Sequence, residues 1–334
     1  MFQWARNVSR FYIAHARSSP FAPSPLSNSR DFVPGFLLFS LAVLWGCGVK
    51  VPNTAGTFTD DLGRKVTWEG RVERVVPLAP NLTEILFAAG AGDRVAGVSI
   101  SDNYPRAVEQ LPHFSTLPLN FEAIAALDPS LVLATDQVNS TRDAKTFAAL
   151  SIPTIFFSFR TLSDVPRVLR ATGAIFGTES IASRAANDFE GRLERLLSAT
   201  DTLTTRPRVL FLIGEKTLFS FGKGSYIQTL IDLAGGTSIT SEIENDAPVL
   251  SDEFVLVARP NVIVGTFDKD FNLSRLLEYH PTWRIIPAIE AGLVFRLDPD
   301  LFLRPGPRLA DGAYLLAKTL HPALMDTLLR AVSP

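Results

Sequence analysis

A fourteen-residue pattern occurs twice in this chain, and that repeat constrains the fold more than any other feature. Glu122–Thr135 aligns without a gap on Glu253–Thr266, with Pro129 on Pro260 and an apolar run closing each copy. Both copies read as helix, proline-containing turn and buried strand. A second pair, Thr83–Gly90 and Gln228–Gly235, reads in both copies as a helix ended by glycine. Two copies of one unit predict two similar lobes.

The segments between the repeats support parallel α/β layers. Short apolar runs at Val75–Leu78, Val95–Val98, Leu131–Ala134 and Ile152–Phe157 read as strands that alternate with helices. Asn81 with Glu84 three residues later reads as a helix N-cap and its capping-box partner. In the second half, Arg208–Ile213 and Val262–Gly265 read as strands and Tyr226–Ala234 as a helix stopped by Gly235-Gly236. Between the halves, Ile181, Ala185, Phe189, Leu193 and Leu196 recur at helical spacing. Helix over 179–200 would span about 33 Å and join the lobes as one rigid rod. The expected class is therefore α/β, two similar lobes joined by a single long helix. Residues 71–165 and 205–334 form the lobes, and 166–204 the helical region between them.

The first 70 residues belong to neither lobe. Residues 1–30 carry Arg6, Arg10, Arg17 and Arg30 and no acid, and Phe36–Trp45 is an uninterrupted apolar run apart from Ser40. As helix that run rises about 15 Å, half of a bilayer core, which suits the apolar segment of a signal peptide. Leu44-Trp45-Gly46-Cys47 resembles the bacterial lipobox, so the expectation is a signal peptide over 1–46 and a lipid on Cys47. Residues 47–70 then read as a tether followed by an edge hairpin around Asp61-Leu62-Gly63. Cys47 is the single cysteine, so no internal disulfide is available.

Several function classes find no support. Net charge is −2 and the basic residues lie scattered among acids, so no nucleic-acid partner is indicated. Phe221–Ser225 lacks the spacing of a phosphate-wrapping loop. His15, His113, His280 and His321 show no ligand spacing, and the last three each adjoin a proline, as surface or turn residues do. Asp60-Asp61 reads as a solvated turn. With no nucleophile, base or metal constellation, the chain does not read as an enzyme.

Arg74–Phe87, Gly90–Gly97, Tyr104-Pro105, Asn120–Glu122, Leu127–Pro129 and Arg304–Arg308 carry a family resemblance. Over roughly Phe58–Pro322 the chain resembles the periplasmic binding proteins that serve cobalamin and ferric-siderophore ABC importers, the class with a helical backbone between lobes. The resemblance implies a monomer with no intrinsic cofactor. It would capture a metal chelate, a corrinoid or a ferric siderophore or haem, in the interlobe cleft and deliver it to a permease and its ATPase. Positions that are aromatic in the cobalamin-binding members stand here as Ser101, Leu117, Asp136 and Ala247, whereas Phe219 keeps its aromatic character. Asp300 and Arg304 match a polar pair of the second lobe, and Tyr104, Phe114 and Phe302 are the aromatic substitutes at hand. By the same resemblance, Glu122 and Glu253, equivalent in the two copies, would meet arginines of the two permease subunits. A sensor or adhesin lipoprotein that reuses the fold without a transporter is the alternative.

Overall fold

The computed structural model of the chain describes residues 56–324. Cys47, the expected signal peptide over 1–46 and most of the expected tether lie outside the described residues. The described chain opens with an antiparallel hairpin, β1 (Gly56–Thr59) and β2 (Lys65–Trp68). Its turn is solvated only in part, since Asp61 is exposed and Asp60 is not. Asp60 is 4% exposed, and its carboxylate accepts hydrogen bonds from the Leu62 and Arg64 amides, the Arg64 guanidinium and the Phe156 amide. Asp61 accepts from the Ser158 amide and from both ends of the Arg167 guanidinium. The two carboxylates satisfy backbone N–H groups at a strand end, where an unpaired donor would be costly.

In the first lobe, β3 (Val75–Pro77) leads into α1 (Pro80–Ala88), followed by β4 (Val98–Ser99), β5 (His113–Phe114) and α2 (Phe121–Ala125). Then come β6 (Leu131–Thr135), α3 (Thr141–Ala149) and β7 (Thr154–Phe157). The strands β3, β6 and β7 pair in parallel in that order, Val75 opposite Leu131 and Val132 opposite Thr154. Two expectations change here. Ala79, not Asn81, is the N-cap of α1, because Pro80 takes the first helical position that its fixed φ favours. And Val95 makes only a single bridge to Val75. The strand itself is Val98–Ser99, formed after Gly97 packs against Leu127 and the Pro112 carbonyl.

Two helices follow, α4 (Asp164–Phe176) and α5 (Glu179–Thr200), and the second joins the lobes. The second lobe runs β8 (Arg208–Ile213), α6 (Tyr226–Leu233), β9 (Thr237–Ser238), α7 (Asp252–Ala258), β10 (Val262–Thr266) and α8 (Leu273–Tyr279). It closes with α9 (Pro287–Glu290), β11 (Val294–Arg296), α10 (Pro299–Phe302) and α11 (Leu309–Leu320). Its sheet is parallel, in the order β11-β10-β8-β9. The repeat is visible down to backbone angles. Asp128 and Arg259, each just before the aligned proline, both adopt positive φ, 48° and 45°. Gly90 and Gly235 end their helices with φ of 80° and 79°, a conformation glycine adopts without steric penalty.

Alternate strand residues feed different cores, as a two-residue period demands. Val76, Val132, Ala134 and Phe156 face a core private to the first lobe, and Leu210, Leu212 and Ile263 one private to the second. Their neighbours Val75, Leu131, Leu133 and Ile155, with Val209, Phe211 and Val264, face a third core. That core continues through α4 and α5, so the two sheets share one apolar interior. The face α5 gives to it is Ala182, Ala186, Phe189, Leu196 and Thr200, with Ala185 and Leu193 packed at its margin, so the expected stripe holds except at Ile181. Ile181 instead is 42% exposed and lies over Gly90. Small Ala182 and Ala186 let α5 approach closely, and Ala182 sits against Gly173 of α4.

Candidate functional site

A cleft of about 870 Å³ lies between the lobes, at the upper end of the usual range of small-molecule pockets. Its first-lobe wall comes from the carboxyl ends of parallel strands, where open α/β sheets present ligand-binding loops. Asp136 and Gln137 directly follow β6, and Phe159 and Arg160 lie just beyond β7. Arg160 donates to Asp136 at 2.8 Å, and the Gln137 amide donates to the Phe159 carbonyl at 2.8 Å, so this wall is internally braced.

The second-lobe wall is a loop the first lobe lacks. In the first lobe β3 reaches α1 through Leu78 and Ala79, but from β8 to α6 the chain runs over residues 214–225. Within that loop Phe219 bridges Ile213 and Val249 as an improvised strand. Phe221 and Tyr226 pack ring against ring at 5.9 Å. The Tyr226 hydroxyl donates to the Phe302 carbonyl, and Thr240 donates to the Phe221 carbonyl. Phe219 remains half-buried while Phe221 and Tyr226 are nearly covered, so Phe219 is the ring with most surface free for a ligand. Glu244, Asp246 and Ala247 complete the rim.

A second cluster closes the seam between the lobes. The Arg308 guanidinium donates to both oxygens of Glu84, at 3.0 and 2.6 Å, and lies over the Tyr104 ring at 4.3 Å. Arg304, 4% exposed, donates to the Asn103 side chain at 2.6 Å and the Ser101 carbonyl at 2.9 Å, and pairs with Asp300 at 2.8 Å. Asn103 donates to Asp300, and Asn81 donates to the Pro305 carbonyl. Burial pushes the Glu84 carboxyl above its ordinary range, opposed by the hydrogen bonds and charge of Arg308 and the charge of Arg304.

The structure thus divides the residues expected at a ligand. Asp136, Phe219 and Ala247 meet in the cleft. Tyr104, Ser101, Asp300 and Arg304 meet in the seam, engaged with one another or with Glu84 and Arg308. Phe302 is fully buried against Phe211, with ring centroids 5.7 Å apart, and Phe114 is buried in the first-lobe core. Neither is a pocket wall, because a short helix and a strand turn these rings inward. Leu117 is exposed beside Pro118 and is not among the residues that line the cleft. Glu122 and Glu253 both occupy the second position of their helices, after the capping residues Asn120 and Ser251, and both are exposed. His280, expected at the surface, is 5% exposed, held between the Asp252 carboxylate and the Glu215 carbonyl and stacked on Trp283.

Sequence reasoning missed Glu84 and Arg308, since a glutamate three residues after Asn81 has a sufficient local explanation. It also missed Phe159 and Arg160, although their place just past an apolar strand was the available signal.

The family model described as periplasmic binding protein matches residues 75–301. A vitamin B12-binding protein of Pectobacterium atrosepticum is 31% identical over 255 residues, covering 74% of this chain and 88% of the relative. An uncharacterised ABC transporter substrate-binding lipoprotein of Bacillus subtilis is 25% identical over 308 residues, covering 86% and 95%. The crystal structure of the periplasmic vitamin B12-binding protein of Vibrio cholerae superposes with a TM-score of 0.65 at 27% identity, covering 75% of this chain and 98% of that one. A periplasmic heme-binding protein from Roseiflexus sp. RS-1 superposes at 0.67 with 25% identity, covering 76% and 99%. With more than half its length inside the family model and the same two-lobed architecture, the chain belongs to the periplasmic binding protein family.

Proposed function

We propose that the chain is the substrate-binding component of an ABC importer, capturing a metal chelate in the interlobe cleft and presenting it to a permease. The observation that carries this reading is the cleft itself, of about 870 Å³, walled from both lobes and offering the half-buried ring of Phe219. A wide cleft with one accessible ring and several polar groups suits a large chelate such as a corrinoid or haem, or a ferric siderophore. Relatives named as vitamin B12-binding and heme-binding proteins support the same ligand class. Asp136, Phe219 and Ala247 are the ligand contacts in this reading, and Tyr104, Asp300 and Arg304 hold the wall that frames them. The test is titration of the purified protein with a corrinoid, haem and a ferric siderophore, followed by absorbance and tryptophan fluorescence. Micromolar or tighter binding of at least one is expected, and binding of none would sink the reading.

The anchored form of this receptor is part of the same proposal. Cys47 follows the apolar run Phe36–Trp45, and one relative is named a lipoprotein. Palmitate labelling should track the wild-type chain to the membrane fraction and be lost in Cys47→Ser.

A further inference from the structure

The charge of the cleft points to the class of chelate it admits. Three carboxylates, Asp136, Glu244 and Asp246, line it against one guanidinium, Arg160. Arg160 is already committed to Asp136 at 2.8 Å, and the other oxygen of Asp136 is buried and accepts no hydrogen bond. Glu244 holds Lys223 at 2.8 Å, outside the lining, while Asp246 has no cationic partner among the described residues. The start of α6 offers no compensating anion site, because Ser225 caps it and the Gly224 amide donates to the side chain of Gln228. The two arginines that would suit an anion, Arg304 and Arg308, are held in the seam by Asp300 and Glu84.

We infer that the cleft selects metal chelates that are cationic or neutral and rejects anionic ones. This rests on the reading of the cleft as the ligand site. Asp136, whose side chain is 16% exposed, sets this repulsion in a poorly solvated wall, and the exposed Glu244 and Asp246 add a salt-screened field at the rim. Like charges set against one another are a common means of excluding the wrong partner. The apolar rings supply contact area to any planar chelate, so charge on the periphery decides which of them stays.

The experiment compares ligands of opposite charge within each chelate class on the full-length chain. In the corrin series the probes are diaquocobinamide, a cation; cyanocobalamin, neutral overall; and cobyrinic acid, whose peripheral amides are all free carboxylates. In the ferric series they are ferrioxamine B, a cation, and ferric enterobactin, an anion. In the series that binds, the cation should bind at least about tenfold tighter than the anion, with the difference shrinking at high salt. In Asp136→Asn with Asp246→Asn the gap should narrow, while cyanocobalamin affinity changes by less than the gap. An anion binding as tightly as its cationic partner, tight binding of haem (anionic through its two propionates) without the cationic probes, or a gap untouched by the double variant overturns the charge inference and leaves the cleft reading standing. Failure of every probe and of haem to bind overturns both.

Discussion

Glu84 and Arg308 lie 224 residues apart in sequence and form a two-pronged ion pair across the seam between the lobes, at 3.0 and 2.6 Å. The Glu84 side chain is 1% exposed and that of Arg308 16%. Removing one member of such a pair leaves an uncompensated charge in a poorly solvated place, which costs about 3–5 kcal/mol. Glu84→Ala should lower the urea midpoint accordingly, and adding Arg308→Met should recover part of the loss. Equal stability of Glu84→Ala and wild type would mean that water already solvates the seam.

Ligand should change the separation of the lobes little. Both sheets turn alternate residues into one core built around α5, with Phe189 2% exposed inside it, and close-packed interiors resist continuous deformation. Small-angle scattering should give nearly the same radius of gyration with and without bound chelate. A hinge-sized compaction on binding would show that the shared core comes apart.

Phe219 and Phe302 should behave in opposite ways. Phe219→Ala removes a half-buried ring from the cleft wall, so binding should weaken by about 1–3 kcal/mol with little change in melting temperature. Phe302→Ala empties a fully buried site and should cost about 3–5 kcal/mol of folding stability. Thermal melts beside titrations separate the two effects, and a stability loss without an affinity loss in Phe219→Ala would assign that ring to the core.

Asp102 should make stability depend on pH. It is 6% exposed, and its Oδ2 accepts from the Ser99 amide. Burial pushes its carboxyl up, against the opposing effects of Thr83, Ser99 and the charge of Arg304. A raised folded-state pKa gives stability that is fully present below the unfolded value of about 3.9 and lost as pH rises through the folded value. Asp102→Asn escapes that loss, so it should melt higher than wild type at neutral pH, with the advantage fading in acid. A constant difference across the pH range would exclude the titration.

Glu122 and Glu253 test delivery separately from capture. Hydrogen bonds from its own amide and Ser251 hold the Glu253 carboxyl below its usual range, so it stays ionised on an exposed helix start. Two equivalent carboxylates on two similar lobes suit a partner with two-fold symmetry. Glu122→Ala with Glu253→Ala should bind chelate normally yet fail to support uptake in cells. Normal uptake at equal expression would reduce both residues to complements of their helix dipoles.

What the sequence by itself determined is local or repeated. The copies Glu122–Thr135 and Glu253–Thr266 announced two similar lobes, and they end in strands that cover the same five positions, Leu131–Thr135 and Val262–Thr266. Gly90 and Gly235 marked helix ends because a backbone angle open to glycine is a property of one residue. The periodicity around Phe189 located the joining helix and most of its buried face, and erred at Ile181. Ile181 is the more apolar side chain, but only the smaller Ala182 fits where α4 comes close. Tertiary structure alone decided that Asn81 and Glu84 reach across to the Arg304–Arg308 segment instead of capping α1, and that Phe302 turns inward while Phe219 stays in the cleft. Propensity and periodicity act within a turn or two of the chain. A contact between residues 84 and 308 exists only once two separately coded lobes have packed, and its partners carry no local mark of each other.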